Sequence, residues 1–310
     1  MKQSMLALLG FILLSIPMPG PAQQYGDFTY TNDHGAITIN RYTGTNADIV
    51  IPSAIQGIPV TVIGAEAFQG CWSLISVTIP DSVTNIGKSA FSPCVNLTSV
   101  IIGNGVTVIG GKAFFDCPAL ANVTIGNSVA DIEDWAFAGC NSLGSITIPN
   151  SVTNLGEAAF GGCVNMTSVA IGNGVTSIGA AAFGSCYSLA TVTIPQSVSS
   201  IGASAFADCR SLTSVTIPDG VTSLEHETFW RCTSLASVTI PDSVTNIGYW
   251  AFFECESLVS VSIPNSVTRI GEDVFEFCTS LAEINVDPRN AFYSSVDGVL
   301  FDKSQGMISG

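Results

Sequence analysis

Charge is scarce in this chain. Only 11% of its 310 residues are charged, with nine Lys and Arg against 24 Asp and Glu, and there are two histidines. The formal net charge of −15 repels phosphate backbones and anionic headgroups, which argues against nucleic acid and against electrostatic docking on anionic lipid. Long apolar runs are missing after the first residues. Each later run is broken within a few positions by Ser, Thr, Gly or Pro, so no membrane span is expected in the mature chain. His34 and His226 have no second histidine beside them and no Cys-x-x-Cys pair occurs, so no metal centre is expected. A Ser-His-Asp machinery needs a histidine positioned by other groups, and only His226 lies within the body of the chain. No catalytic residue and no cofactor is expected, and the chain reads as non-enzymatic.

What is present begins with a leader. Lys2, the apolar stretch Leu6 to Ile16 and the small-x-small pattern Gly20-Pro21-Ala22 read as a cleavable signal peptide over residues 1–22. The apolar stretch is too short for a membrane anchor, which needs ~20 residues. The mature chain is therefore expected to be secreted or held at the cell surface. With 47% apolar residues it is expected to be ordered.

The ten cysteines expose the organisation. Cys71, Cys94, Cys117, Cys140, Cys163, Cys186, Cys209, Cys232, Cys255 and Cys278 follow one another every 23 residues with no insertion or deletion. A fixed period of this size predicts a solenoid, in which one coil cannot bury its apolar face but a stack can. With the cysteine as position 0, apolar residues recur at +3, +6, +8, +12, +15 and +20, as in Leu97, Val100, Ile102, Val106, Ile109 and Phe114. The spacing of two between +6 and +8 puts both side chains on one face of a short strand, and Val and Ile suit the pleat. Proline or glycine at +9 ends that strand, as at Pro218 and Gly172. In the second half of the unit, Ile201, Ala205 and Phe206 stand at offsets 0, +4 and +5, which predicts one short helical turn. Phenylalanine recurs at one phase from Phe68 to Phe275 and is expected to form a buried stack.

The pattern Leu-x-x-Val-x-Ile-Pro-x-x-Val-x-x-Ile-Gly-x-x-Ala-Phe-x-x-Cys resembles the BspA-like class of leucine-rich repeats, found in bacterial surface and secreted proteins. The resemblance spans about residues 59–286. It implies an α/β solenoid, with short parallel strands stacked on the concave side and short helical turns or loops on the convex side. Residues 23–58 resemble the N-terminal lead-in of such proteins, residues 59–286 give ten 23-residue repeats, and 287–310 resemble their hairpin module. Either the chain is part of a longer protein or that hairpin closes the stack. The family implies adhesion to proteins of a host or a neighbouring cell, here by a monomer.

Several residues are candidates for chemistry or contact. Ten cysteines in an exported chain could form five disulfides, but stacked side chains point the same way, and buried free thiols are expected. Glu225-His226-Glu227 departs from the usual Gly-x-x-Ala and offers either a pH-sensitive or metal-leaning spot or a solvated corner, the latter favoured; Asp131, Glu133 and Asp134 could hold a calcium ion, but no glycine-turned acidic loop accompanies them and they read as a solvated face. Outward strand positions carry two columns of hydroxyls: Ser76, Ser145, Thr191, Ser214 and Ser237 at +5, and Thr78, Thr147, Thr193, Thr216 and Thr239 at +7. These are either soluble filler or a platform for an extracellular protein or glycan; ordering of water, as in ice-binding solenoids, is a third use. Trp230, Tyr249, Trp250 and Phe253 fall outside the repeated apolar phases on two adjacent coils and form a candidate contact patch. Trp72, Trp135 and Tyr187 are scattered and suggest no site. The leading function is non-enzymatic binding outside the cell or at its surface. The alternative is a scaffold that positions another domain absent from this chain.

Overall fold

The computed structural model describes residues 21–304 and 306–307, so the leader expected over residues 1–22 lies almost wholly outside the described residues. Each 23-residue unit forms one coil, and the coils pile up in register. Ser76–Ile79 lies parallel to Ser99–Ile102 with Val77 opposite Val100 and Ile79 opposite Ile102, an offset of one unit. A second strand of two residues follows at +14 and +15. Asn85–Ile86 pairs in this way with Val108–Ile109, and the ladder runs on to Ser200–Ile201. The antiparallel strands Gln23–Tyr25, Phe28–Asp33 and Ala36–Tyr42 extend the same sheet at its N-terminal end through Ile58–Ile63.

The main strand column is not one continuous sheet. Pairing stops after Asn122–Thr124, after Thr191–Thr193 and after Ser237–Thr239, leaving four short sheets along one side. The second ladder is interrupted once, between Ser200–Ile201 and Ser223–Leu224. Both columns are thus unpaired at one and the same coil boundary.

The expected helical turn does not form; the described residues contain no helix, and none that is long and apolar enough to cross a membrane. The reason lies in where the N–H groups go. Ser89 N–H donates to Gly111 O at 3.0 Å, Phe91 N–H to Ala113 O at 2.8 Å, and Asp116 N–H to Ala138 O at 2.9 Å, each in the next coil. An α-helix would turn those donors back onto its own carbonyls. Left-handed residues interrupt the segment as well. Ser89, Lys112, Trp135 and Ala158 occupy one recurring phase with φ between 48° and 62°, which breaks any run of right-handed turns. The α/β description is therefore corrected to strands and tight turns.

The close coil spacing favours glycine after the second strand. A Cβ on Gly179 would stand 2.6 Å from the backbone of Gly156 in the preceding coil. Inside the coils runs the aromatic column. From Phe68 to Phe275, successive rings are stacked with centroids 4.6–5.7 Å apart and planes within 2–16° of parallel. Tyr42 extends the column at its N-terminal end, 5.4 Å from Phe68. At the other end the hairpin Tyr293–Val296 and Val299–Asp302 docks on the last coil: the Tyr293 hydroxyl accepts the Ile270 N–H at 2.9 Å, and the buried Asn290 amide donates to Pro264 O and Val267 O.

Phe160 is fully buried between the rings of Phe137 and Phe183. Truncating it removes the ring's transfer free energy and opens a cavity that rigid neighbouring coils cannot close. Phe160→Ala is expected to lower unfolding stability by about 3–5 kcal/mol in urea titration. A loss below about 1 kcal/mol would mean that the column is not the core.

Candidate binding surfaces

The strand face is built by alternation. Val and Ile at +6 and +8 point into the core, which leaves +5 and +7 outside. Register brings the hydroxyls into columns: Ser145 stands opposite Ser168 and Ser168 opposite Thr191, while Ser214 and Thr216 stand opposite Ser237 and Thr239. Ser145, Thr147, Thr191, Thr193, Ser214, Thr216, Ser237 and Thr239 are exposed, whereas Ser76 and Thr78 at the N-terminal end are half-buried. Ser76 donates to the Asp48 carboxylate at 2.5 Å. The hydroxyls of the other nine make no hydrogen bond within the described residues. Because of the pairing breaks, the columns are divided into four short segments.

Another hydroxyl column behaves in the opposite way. Thr84, Thr107, Thr153, Thr176, Ser199, Thr245 and Thr268, all at +13, donate to the +13 carbonyl of the preceding coil at 3.0–3.4 Å. Those threonines hold coils together, and their hydroxyls are committed. The sequence alone treats both sets alike, because side-chain donors are separable only once the neighbouring coil's carbonyl is in place.

The turn side carries the aromatic cluster. Tyr249 and Trp250 meet edge to face at 5.4 Å, and Trp250 lies 6.0 Å from Phe253. Two residues not expected from the sequence join them. His226 stacks flat on Tyr249, with centroids 5.0 Å apart and planes 6° from parallel, and Phe277 sits edge-on to Phe253 at 5.2 Å. Trp230 makes no ring contact with the cluster; its face is covered by the Arg231 guanidinium at 5.0 Å, which itself pairs with Glu254 at 2.8 Å. His226, half-buried, is thus part of an aromatic stack, beside an exposed Glu225. Its spacing of 23 from Tyr249 is the signal that would have placed it there. The scattered aromatics also find cations: Arg210 lies over Tyr187 at 4.7 Å, and Lys112 lies between Phe115 and Trp135.

The acidic departure at Glu133 and Asp134 serves the backbone. Glu133 Oε2 accepts the Gly111 N–H at 2.8 Å and Asp134 Oδ1 accepts the Glu157 N–H at 2.7 Å.

All ten cysteines are free, nine of them buried and Cys71 half-buried. From Cys94 to Cys278, each thiol donates to the carbonyl of a phenylalanine in the preceding coil at 3.1–3.3 Å, the first being Cys94 to Phe68. Burial pushes the Cys117 and Cys163 thiols up to about 12 and that of Cys278 to about 11. The nucleophilic thiolate is therefore absent at neutral pH.

Stacked parallel strands, a fixed 23-residue coil and an inward Leu, Val, Ile and Phe at constant phase define a leucine-rich repeat solenoid. More narrowly, the chain belongs to the BspA type leucine rich repeat region family, which matches residues 61–190 and 176–296. Among solved structures, a leucine-rich-repeat protein of Treponema pallidum is 31% identical, covering 77% of this chain and 91% of that one, with a TM-score of 0.44. A leucine-rich cell surface protein of Faecalibacterium prausnitzii is 29% identical over 86% of this chain and 95% of that one, with a TM-score of 0.47. A leucine-rich-repeat protein of Bacteroides ovatus shares the fold at a TM-score of 0.53, with 23% identity over 86% of this chain and 95% of that one. No curated protein matches the chain.

In a thiol-reagent count at pH 8, the folded protein is expected to show at most one reactive cysteine, Cys71, and the protein unfolded without reductant is expected to show all ten. Fewer than ten after unfolding would indicate disulfides and contradict the thiol-to-carbonyl arrangement.

Proposed function

We propose that this chain is a non-enzymatic recognition protein, secreted or displayed at the cell surface, whose strand face docks an extracellular protein. The observation that carries the proposal is the contrast between hydroxyl columns. Those at +13 are committed to the neighbouring coil, while those at Thr147, Thr193, Thr216 and Thr239 project outward with no partner within the described residues. The outward strand positions carry no charge from Ser76 to Ser262, so covering the face desolvates no charged group of its own, and its hydroxyls can pair with a partner's polar groups. Repeat solenoids offer such broad, preformed surfaces to partners. Cell-surface display is the stated property of the Faecalibacterium prausnitzii relative, and the leader expected at the N-terminus fits it.

The test is binding of the purified chain to an array of extracellular proteins, with Thr193→Lys/Thr216→Lys/Thr239→Lys as the face variant. The substitutions lie at exposed positions and are expected to leave the thermal transition unchanged. Capture of a defined protein that weakens at least about tenfold in the variant supports the strand face. Undiminished capture by the variant contradicts it. Capture of nothing favours the scaffold reading, in which the coils only position another domain.

A further inference from the structure

We infer that the pocket beside Tyr249 is a carbohydrate site that takes a neutral pyranose. The inference rests on the reading of the chain as a recognition protein but not on its strand face, which lies on another column of the coil. The pocket has a volume of about 250 Å³ and is walled by Glu225, His226, Asn246, Tyr249 and Arg269.

All of these walls but Asn246 are departures from the repeat, and they converge in one place. The position of Glu225 is glycine in Gly156, Gly179, Gly202, Gly248 and Gly271. Arg269 stands where most coils carry Ser or Asn, and His226 and Tyr249 are the only rings at their phase. The departures coincide with a break in the coil-to-coil pairing. The second ladder, continuous from Ile58–Ile63 to Ser200–Ile201, lapses directly before the coil that supplies Glu225 and His226. In that coil Thr228 replaces the usual alanine at a fully buried position, and its hydroxyl must be satisfied by Glu225 O at 2.7 Å. At Glu133 the same replacement of glycine keeps its bond to the preceding coil, Glu133 N–H to Ile109 O at 3.0 Å, so a carboxylate alone does not open the ladder. Local rules broken together in one place are the mark of a functional site.

The chemistry selects the ligand. Tyr249 is 45% exposed yet held on two sides, by the His226 ring and by the edge of Trp250. The indole N–H of Trp250 is itself tied to Asp273 Oδ2 at 3.3 Å. A ring fixed in this way loses little rotamer freedom on binding. Its neighbours offer planar polar groups: the Glu225 carboxylate, the Arg269 guanidinium and the Asn246 amide, whose NH2 group donates to the Ser223 hydroxyl at 3.0 Å. Neither Glu225 nor Arg269 forms an ion pair among the described residues. An anionic ligand would meet Glu225 and a cationic one Arg269. A neutral polyol can donate to the carboxylate and accept from the guanidinium at once, while the C–H face of its ring lies on the aromatic shelf.

The experiment screens the purified chain on an array of neutral and acidic glycans. The Kd of the best neutral saccharide is then measured by Trp fluorescence for the parent and for Tyr249→Ala, Tyr249→Phe, Arg269→Ala and the strand-face lysine variant. The expected result is binding of a neutral saccharide that weakens at least tenfold in Tyr249→Ala and Arg269→Ala. It persists in Tyr249→Phe, which keeps the ring, and in the strand-face variant, all at unchanged thermal transition. No neutral saccharide bound, binding of acidic glycans alone, or a Kd indifferent to Tyr249→Ala would overturn the inference. Protein capture lost only in the lysine variant, with no sugar bound, would remove this site and leave the proposed function standing; sugar binding without protein capture would do the reverse.

Discussion

Everything in this molecule depends on backbone N–H groups that reach across to the next coil instead of back along their own segment. On the turn side, alternate residues such as Ser89 and Phe91 donate outward to Gly111 and Ala113, so each coil hangs from its neighbour by a short ladder. That commitment fixes the register, and the register fixes the interior. Phenylalanines fall face to face, and cysteine thiols land on the carbonyls of the coil behind. A free thiol persists in such a place because it donates to a phenylalanine carbonyl and burial keeps it protonated. Nearest-neighbour contact of this kind makes stability a sum over coils and interfaces.

The same constraint decides which residues are free to vary. Inward positions repeat because every coil offers the same cavity, and the glycine after the second strand recurs in most coils because the preceding backbone crowds a Cβ there. Variation is pushed to the outward strand positions and to the turns. There the chain keeps its strand face short and uncharged and gathers irregularities in two places, around Lys112 to Trp135 and in the coils that carry Glu225 to Phe277, where rings, cations and carboxylates meet. Function in a repeat protein is therefore sought where the repeat is broken.

Much of this was legible in the sequence. The period, the strand at +6 and +8, the phenylalanine column and the buried thiols all follow from apolar residues recurring at fixed phase, a signal reinforced ten times over. The helical turn was misread because Ile201, Ala205 and Phe206 mimic helical spacing, and nothing in one coil reveals that its donors belong to another. The breaks in the strand column were invisible too: Ser214-Val215-Thr216 and Ser237-Val238-Thr239, identical in sequence, pair with each other, yet each lacks a strand partner on its other side. Of the aromatic candidates, Tyr249, Trp250 and Phe253 do come together. Trp230 leaves the group for Arg231, and His226 and Phe277 enter it through contacts one coil away that a search along the chain passes over.

The central claim is that coils are joined by alternate turn-side amides with a 23-residue repeat. Amide hydrogen exchange resolved residue by residue tests it most directly. The account predicts slow exchange at Ser89, Phe91, Phe114, Phe137, Phe160 and Phe183, recurring at the coil period, with protection extending across both columns. Fast exchange at those amides, or protection in unbroken helical blocks with no 23-residue recurrence, would contradict it.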